Sequence, residues 1–552
     1  MSVVTLGHKA PNLDPSTLET LTSKAGIRVR EDHAGDFLKV LGALDESCQD
    51  VLDEEDYTPE LDLSKYPRTD VHRPEDTDKG GWAMRCNAYA TSPTNDLLKA
   101  KMVALKDNIA LAGMKCTNGT EALDWTPAYD ATIATRIMDA GATITGKAAC
   151  ESACFEGVSD TSCTGKVHNP YADNYSCGGS SSGSGRLVAT GSVDMAIGCD
   201  QGGSIRIPSA MCGIVGLKPT WGLVPYTSII SLEATIDHAG PMARSVPDVA
   251  RLLQAIAGSD GIDDRQPHFL PDGTLDYMAK LDGFLKSSDS SKPLSGTKIG
   301  LLEEGFTIPG MDPNISNLCH SAVDKLKDLG AEVTSVSIPG HLKAAILWMV
   351  SVPIAGTRQG FFTDMTGRKQ LHMLDRQRAS GESMTQDAFD KLGPGAQNAY
   401  IRYLYMMDKY GPIIHSKCSN LLRKVNDEYD QALASVDVLV MPTLPSPPCR
   451  LFDDPPAHGP LARLSRNVGL VGNTSPFNSI TFFQIVSWLL DADVRTGTGH
   501  PAITFPVGFV PAHDDESIRL PTGLQVVGKK FADSECMKVA AAFERAYDWK
   551  TL

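Results

Sequence analysis

The chain has 552 residues, of which 42% are hydrophobic, and a formal net charge of −16. That length and apolar content exclude a disordered chain and allow a core large enough for a sizeable enzyme. The acidic balance excludes a general nucleic-acid binder, which needs a basic face for phosphates, and suits neutral or cationic small molecules. Thirteen cysteines, odd in number and scattered, show no zinc-ligand spacing. They are expected to be free thiols in a reducing compartment, with no metal site. The start of the chain lacks the basic stretch and apolar run of a signal peptide, and the most apolar run, 344–356, is short and holds Pro353. A cytoplasmic chain with no membrane span is expected.

In chain order, residues 10–56 predict helix, with Ala34, Phe37, Leu38, Leu41, Leu44 and Cys48 along one face. Residues 57–95, with Pro59, Pro67, Pro74 and Pro93, predict an irregular connection. Residues 1–90 are therefore expected as a helical N-terminal extension and linker, with the main body over 91–552. The segment 101–111 predicts a strand ending near Lys106 and Asp107. Residues 130–150 predict an amphipathic helix capped by Asp130, a stop at Gly141, then a strand. Helix then strand is expected again over 184–199, a helix capped by Ser245 over 245–260, and a strand over 296–304. Helix, glycine stop and strand follow over 315–338, and a buried strand runs into a proline-rich loop over 435–448. The strand–helix–strand order predicts an α/β fold.

Two glycine-serine turns stand out, CGGSSSGSG at 177–185 and CDQGGSIRIP at 199–208. Such turns are common linkers, but these lie between apolar, structured segments. Glycine permits the dihedrals that converge backbone N–H groups on an anion, so Gln201, Gly202, Gly203 and Ser204 could form an oxyanion nest with Ser204 as nucleophile. A base is harder to place. No G-x-S-x-G elbow occurs, and the context of His168, His238, His341, His415 and His500 selects none of them. Lys106 is the other candidate, because a buried lysine can lose its proton and act as a base. Neither turn has the fingerprint of a phosphate or dinucleotide loop. Arg206 is expected to pair with Asp200 and shape the loop rather than bind substrate. Asp237 and His238 are expected to brace the core nearby.

These motifs, with VALKDNIALAG at 103–113, DATIATRIMDAGATITGK, TIDHAGPMARSVPDVA, DVLVMPTLP, GHPAITFPVGF and PTGLQVVGKKF, resemble the amidase signature family of serine hydrolases. The resemblance covers most of the chain. The longer forms look most like the microbial amidases associated with nitrile metabolism. It implies a mixed central sheet covered by helices on both faces, with the catalytic domain at 91–552. It also implies a Ser–cis-Ser–Lys triad with Ser204 as nucleophile, Ser180 as bridging acid and base, and Lys106 as general base. Ser180 and Ser204 stand 24 residues apart, the spacing the family shows. Gln201, Gly202, Gly203 and Ser204 match its oxyanion hole, and Ser181 matches a supporting serine. The implied reaction hydrolyses a neutral carboxylic amide to acid and ammonia through an acyl-enzyme, with no cofactor, metal, nucleic acid or membrane. Members of the family are often homodimers. Alternatives are the glutaminase subunit of a tRNA-dependent amidotransferase, a carbamate, ester or hydrazide hydrolase, and a non-catalytic binding protein on the same fold.

Residues 341–415 match the family's pocket walls and offer Trp348, Phe361, Phe362, Tyr403 and Tyr405 as contacts for an aliphatic or aryl acyl group. Two departures stand against the family pattern. Arg186 replaces a small residue, pointing to solvent or crowding the helix behind the loop. Residues 479–497 interrupt a stretch that is nearly continuous in relatives, as a lid or as translated non-coding sequence.

Overall fold

The computed structural model describes residues 13–267, 270, 273–287, 291–381, 383–478 and 499–552. The unusual segment 479–497 lies outside them. The chain divides into two compact units, Met1–Pro59 and Glu60–Leu552.

The first unit holds helices Pro15–Ala25 and Glu31–Asp53. Asp14 caps the first, accepting Ser16 N at 2.9 Å, and Pro15 sits in the first turn, where a missing N–H costs nothing. Gly26 ends that helix at φ 67°, so the helical stretch expected over 10–56 is divided into two helices. The apolar face expected on the second helix is not its buried one. Phe37 and Leu44 are 48% and 57% exposed, whereas Gly42 and Ala43 are buried.

The second unit is built on a twelve-stranded sheet. Its strands are β1 (Arg68–His72), β2 (Trp82–Ala88), β3 (Met102–Lys106), β4 (Thr143–Ala148), β5 (Met195–Asp200), β6 (Val215–Lys218), β7 (His238–Ala243), β8 (Lys298–Leu302), β9 (Glu332–Val336), β10 (Val438–Pro442), β11 (Ala502–Pro511) and β12 (Arg519–Gly528). They run in the order β1-β2-β4-β3-β5-β7-β6-β11-β12-β10-β8-β9. Pairs β3/β4, β3/β5, β8/β10 and β8/β9 are parallel and the others antiparallel, so the sheet is mixed.

Alternation along the central strands feeds two cores. Val103, Leu105, Met195, Ile197, Val438 and Val440 face one side, with Ile133, Val249, Ile315 and Val539 from the helices that cover it. Ala104 and Ala196 face the other, against Leu187, Val188 and Cys212, while Leu439 and Met441 meet Val425 and Tyr429 there. Strands buried on both faces read as continuous apolar runs, which is why these were visible in sequence. The fold is an α/β sheet covered by helices on both sides.

Two expectations are corrected. Residues 57–95 are not an irregular connection: β1 and β2 extend the main sheet, and the units part at Pro59 rather than near residue 90. The prolines that suggested a loop, Pro67 and Pro74, only flank β1. Asp130 does not cap the helix Thr132–Asp139. It accepts Ala112 N at 2.8 Å and pairs with Arg68 of β1. The cap expected at Ser245 is present, accepting Asp248 N. All thirteen cysteines are free. Among the described residues, no helix is long and apolar enough to cross a membrane.

Candidate active site

Lys106 is the last residue of β3, and its neighbour Leu105 pairs with Ile197 of the parallel β5. Parallel neighbours end on one edge, so Lys106 and the turn after Asp200 emerge side by side. Lys106 is fully buried, with Nζ 2.7 Å from Ser180 Oγ, and it donates to Cys199 O at 3.2 Å. The Gly179–Ser180 peptide is cis. Ser181 N donates to Ser204 O at 3.3 Å. The Ser181 hydroxyl accepts Cys199 N and donates to Cys199 O, both at 3.3 Å. Lys106, Ser180, Ser181 and the Ser204 turn are therefore one cluster. Glu151 braces it from behind, taking the Ser182 hydroxyl at 2.6 Å while its own N–H donates to Ser180 O at 3.1 Å.

The turn itself is held by Asp200. Its Oδ1 accepts Gly203 N at 2.7 Å and its Oδ2 accepts Ile205 N at 3.1 Å. Arg206 grips the same carboxylate with Nε at 3.0 Å and Nη2 at 2.9 Å. The rest of the guanidinium donates to Thr474 O, Gln525 Oε1 and Asn478 Oδ1 at 2.6–2.8 Å. Both side chains have no exposure. Burial pushes the Asp200 carboxyl up, but the Arg206 charge and hydrogen bonds outweigh it and hold the group well below the usual carboxylate range.

This arrangement trims the oxyanion hole expected from sequence. Gly203 N–H is taken by Asp200 Oδ1. The N–H groups of Gln201, Gly202 and Ser204 donate to no group among the described residues. Their carbonyls are drawn the other way: Trp348 Nε1 donates to Gln201 O at 2.7 Å and Thr474 Oγ1 to Gly202 O at 2.6 Å. Glycine is required twice here. A Cβ on Gly202 would lie 2.5 Å from the Trp348 ring, and one on Gly203, at φ 137°, would lie 2.4 Å from Thr474 Oγ1. Gly203→Ala, whose Cβ pushes the turn off Thr474, is expected to lower kcat about 10²-fold or more with KM little changed, because the N–H groups of Gly202 and Ser204 move with the turn. Steady-state kinetics check this, and an unchanged kcat would remove the turn from the chemistry.

Opposing forces act on Lys106. Burial pushes its ammonium down, while negative charge on Cys154, Cys199 and Cys150 would push it up. Cys199 is raised by burial to about 12, and Cys150 is pushed well above its ordinary value by the Cys154 thiol and by burial. Both are neutral thiols near neutral pH. Cys154 is the exception, drawn down to about 6 by its hydrogen bond with Cys150 and by the Lys106 charge. The balance raises Lys106 above its ordinary value, and a thiolate at Cys154 is the first of the charges that would hold its proton on.

Two small cavities with lining in common lie beside the turn. The inner one, of about 10 Å³, is walled by Asn108, Cys154, Phe155, Gln201 and Ser231. The outer one, of about 60 Å³, shares Asn118, Ala153, Gly360 and Phe361 with it and adds Phe362 and Arg376. Of the five aromatics expected here, Trp348, Phe361 and Phe362 reach the site. Tyr403 stacks on Tyr400, and Tyr405 is 55% exposed. Arg186 neither points to solvent nor crowds its helix. It is buried and donates to Asp78 O and His168 O, both at 2.6 Å. His238 Nδ1 lies 2.8 Å from Ile236 O, and Asp237 accepts Leu232 N at 3.1 Å, so both brace the loop before β7. Sequence reasoning missed Asn108, Asn118, Glu151, Thr474, Asn478, Gln525 and Arg376. The NTSPFN stretch at 473–478 was the signal for two of them.

Comparison with known proteins places this fold among the hydrolases. The chain belongs to the Amidase family, whose sequence model matches residues 81–537. It is 37% identical to an enantioselective amidase of Rhodococcus rhodochrous over 81% of this chain and 80% of that protein. It is 31% identical to a glutamyl-tRNA(Gln) amidotransferase subunit of Nitrosococcus oceani, over 81% of this chain and 83% of the relative. Among solved structures, native peptide amidase of Stenotrophomonas maltophilia superposes with a TM-score of 0.62 at 28% identity, over 81% of this chain and 82% of the other.

Proposed function

We propose that this amidase-family enzyme hydrolyses a carboxamide to the acid and ammonia through Ser204, Ser180 and Lys106. The observation that carries the reading is the 2.7 Å approach of a buried Lys106 Nζ to Ser180 Oγ beside the Ser204 turn. Neutral Lys106 takes the Ser180 proton as Ser180 takes that of Ser204, and Ser204 Oγ bonds to the amide carbon. The N–H groups of Gln201, Gly202 and Ser204 receive the developing oxyanion. The proton returns through Ser180 to the amide nitrogen, the C–N bond breaks and ammonia leaves. Water then attacks the acyl group by the same relay, freeing Ser204. In this reading residues 341–415 supply the acyl pocket, and no cofactor takes part.

The acyl donor has two readings. One is a free amide, supported by the enantioselective amidase relative, which fits the narrower likeness to nitrile-metabolism enzymes. The other is glutamine, with the chain as the ammonia-releasing subunit of a tRNA-dependent amidotransferase. The comparisons favour the second more, since several further relatives at 29–32% identity are such subunits. Ammonia release by the purified chain from propionamide, hexanamide, benzamide, 2-phenylpropionamide and glutamine separates them. Simple amides cleaved without partners support the first, and glutamine alone the second. A folded chain inert on all five, with or without partner subunits, overturns both.

The relay sets a pH dependence. Activity needs the neutral amine, so kcat/KM is expected to fall tenfold per unit as pH drops through the Lys106 value. Cys154→Ala removes the thiolate that holds the proton on Lys106, and should move this acid limb to lower pH. A limb that stays in place in that variant, measured on kcat/KM profiles, would rule out the coupling.

A further inference from the structure

Arg376 is a buried charge that the reaction does not use. It lies in the short helix Leu374–Ser380 and is 3% exposed. One Nη2 bond goes to Gly360 O, and Nε has no partner among the described residues. No described carboxylate lies within ion-pair distance of it, and the neighbouring Asp375 charge offsets its burial only in part. Asp375 takes the Tyr129 hydroxyl and Arg376 N instead, each at 2.8 Å. Burial pushes the guanidinium down to about 10, so it stays charged at neutral pH. A buried cation with so few partners is costly unless something completes its shell. The planar fork of arginine matches a carboxylate.

Arg376 lines the outer cavity, and among the described residues that line it no other is charged. The outer cavity shares Asn118, Ala153, Gly360 and Phe361 with the inner one, and Gln201 of the Ser204 turn also lines the inner one. The shared wall is apolar at Phe361, and Asn108, whose side chain hydrogen-bonds Cys199, lines the inner part. A substrate with its scissile amide at the turn and its acyl chain along these shared residues would bring its far end towards Arg376.

We propose that Arg376 seats a carboxylate at the far end of the substrate's acyl chain, so that the preferred substrates are amides carrying a second, anionic terminus. This deepens the proposed function and rests on it. It also replaces the uncharged acyl group that the sequence suggested, and it fits glutamine as one member of the class.

The test compares succinamate, glutaramate and adipamate with their neutral isosteres 4-methylpentanamide, 5-methylhexanamide and 6-methylheptanamide. The wild type is expected to favour at least one carboxylated amide by about 10-fold or more in kcat/KM, mostly through KM. Arg376→Met should erase that preference while changing the neutral amides less than about threefold, and Arg376→Lys should keep part of it. No preference in the wild type, a preference that survives in Arg376→Met, or equal loss of both substrate classes in that variant overturns the proposal. Calorimetric binding of succinate, glutarate and adipate to wild type and Arg376→Met is measured alongside. It reads the subsite without turnover, so an enzyme inert on every amide refutes the hydrolytic reading while the binding difference still decides the role of Arg376.

Discussion

Ser204→Ala is expected to lower kcat/KM at least about 10⁴-fold while leaving stability within about 0.5 kcal/mol. The two parts of this expectation have separate grounds. Ser204 is half-buried, and its hydroxyl makes no hydrogen bond among the described residues, so its removal opens no network. What anchors the turn is the backbone, through Ser204 O, Gly203 N and Ile205 N, and alanine keeps all three. The chemistry has no such substitute. Without the hydroxyl no acyl-enzyme forms, and the N–H groups of the turn can only polarise a carbonyl for direct attack by water. Residues that act as one relay are not additive, so Ser180→Ala added to Ser204→Ala should cost little more. Ammonia release on the best substrate, with urea unfolding of both proteins, reads the two parts together. A variant that unfolds more easily would move Ser204 into the scaffold, and one that retains a tenth of the activity would move the nucleophile elsewhere.

The parts of this site visible in sequence are those fixed by local chain geometry. Gly202 and Gly203 announce a turn, and the apolar run before Lys106 announces a strand that buries it. The order of β3, the helix Thr132–Asp139 and β4 follows from period and punctuation alone. What sequence hides is pairing over distance. Asp130 reads as a helix cap because its local setting suits one, yet it meets Arg68 across 62 residues. β1 and β2 hide because their proline-rich surroundings outweigh two short strands whose partners lie elsewhere. The same limit applies within the site. Gly203 N–H reads as an oxyanion donor until the position of Asp200 is known. Arg376 is not singled out by the sequence at all, because its bond to Gly360 O is made outside its own helix. Exposure of Phe37 and Leu44 makes the same point in reverse, since an apolar stripe states what a helix can bury and not what covers it.

Asp200→Asn carries the largest stability change expected for this chain. The carboxylate and the Arg206 guanidinium have no exposure, and removing one charge strands the other, which costs about 3–5 kcal/mol. The sign against pH follows from the lowered carboxyl. A group whose folded pKa lies below its unfolded value stabilises above the unfolded value, and that stability is lost as pH falls through the folded one. The gap between wild type and variant should therefore be full from pH 5 to 8, and smaller by about 1 kcal/mol at pH 3. Activity should fall as well, because asparagine cannot accept Gly203 N and Ile205 N while receiving two bonds from Arg206. The double variant Asp200→Asn/Arg206→Met separates the two effects. It removes the stranded charge and should recover part of the stability, although Asn478 and Gln525 lose a donor. It should recover none of the activity, because the turn still lacks its carboxylate. Urea unfolding at pH 7 and pH 3, with kcat on the same samples, decides this. Recovery of both together would mean that the ion pair serves only stability, and that the turn sets its own N–H groups without it.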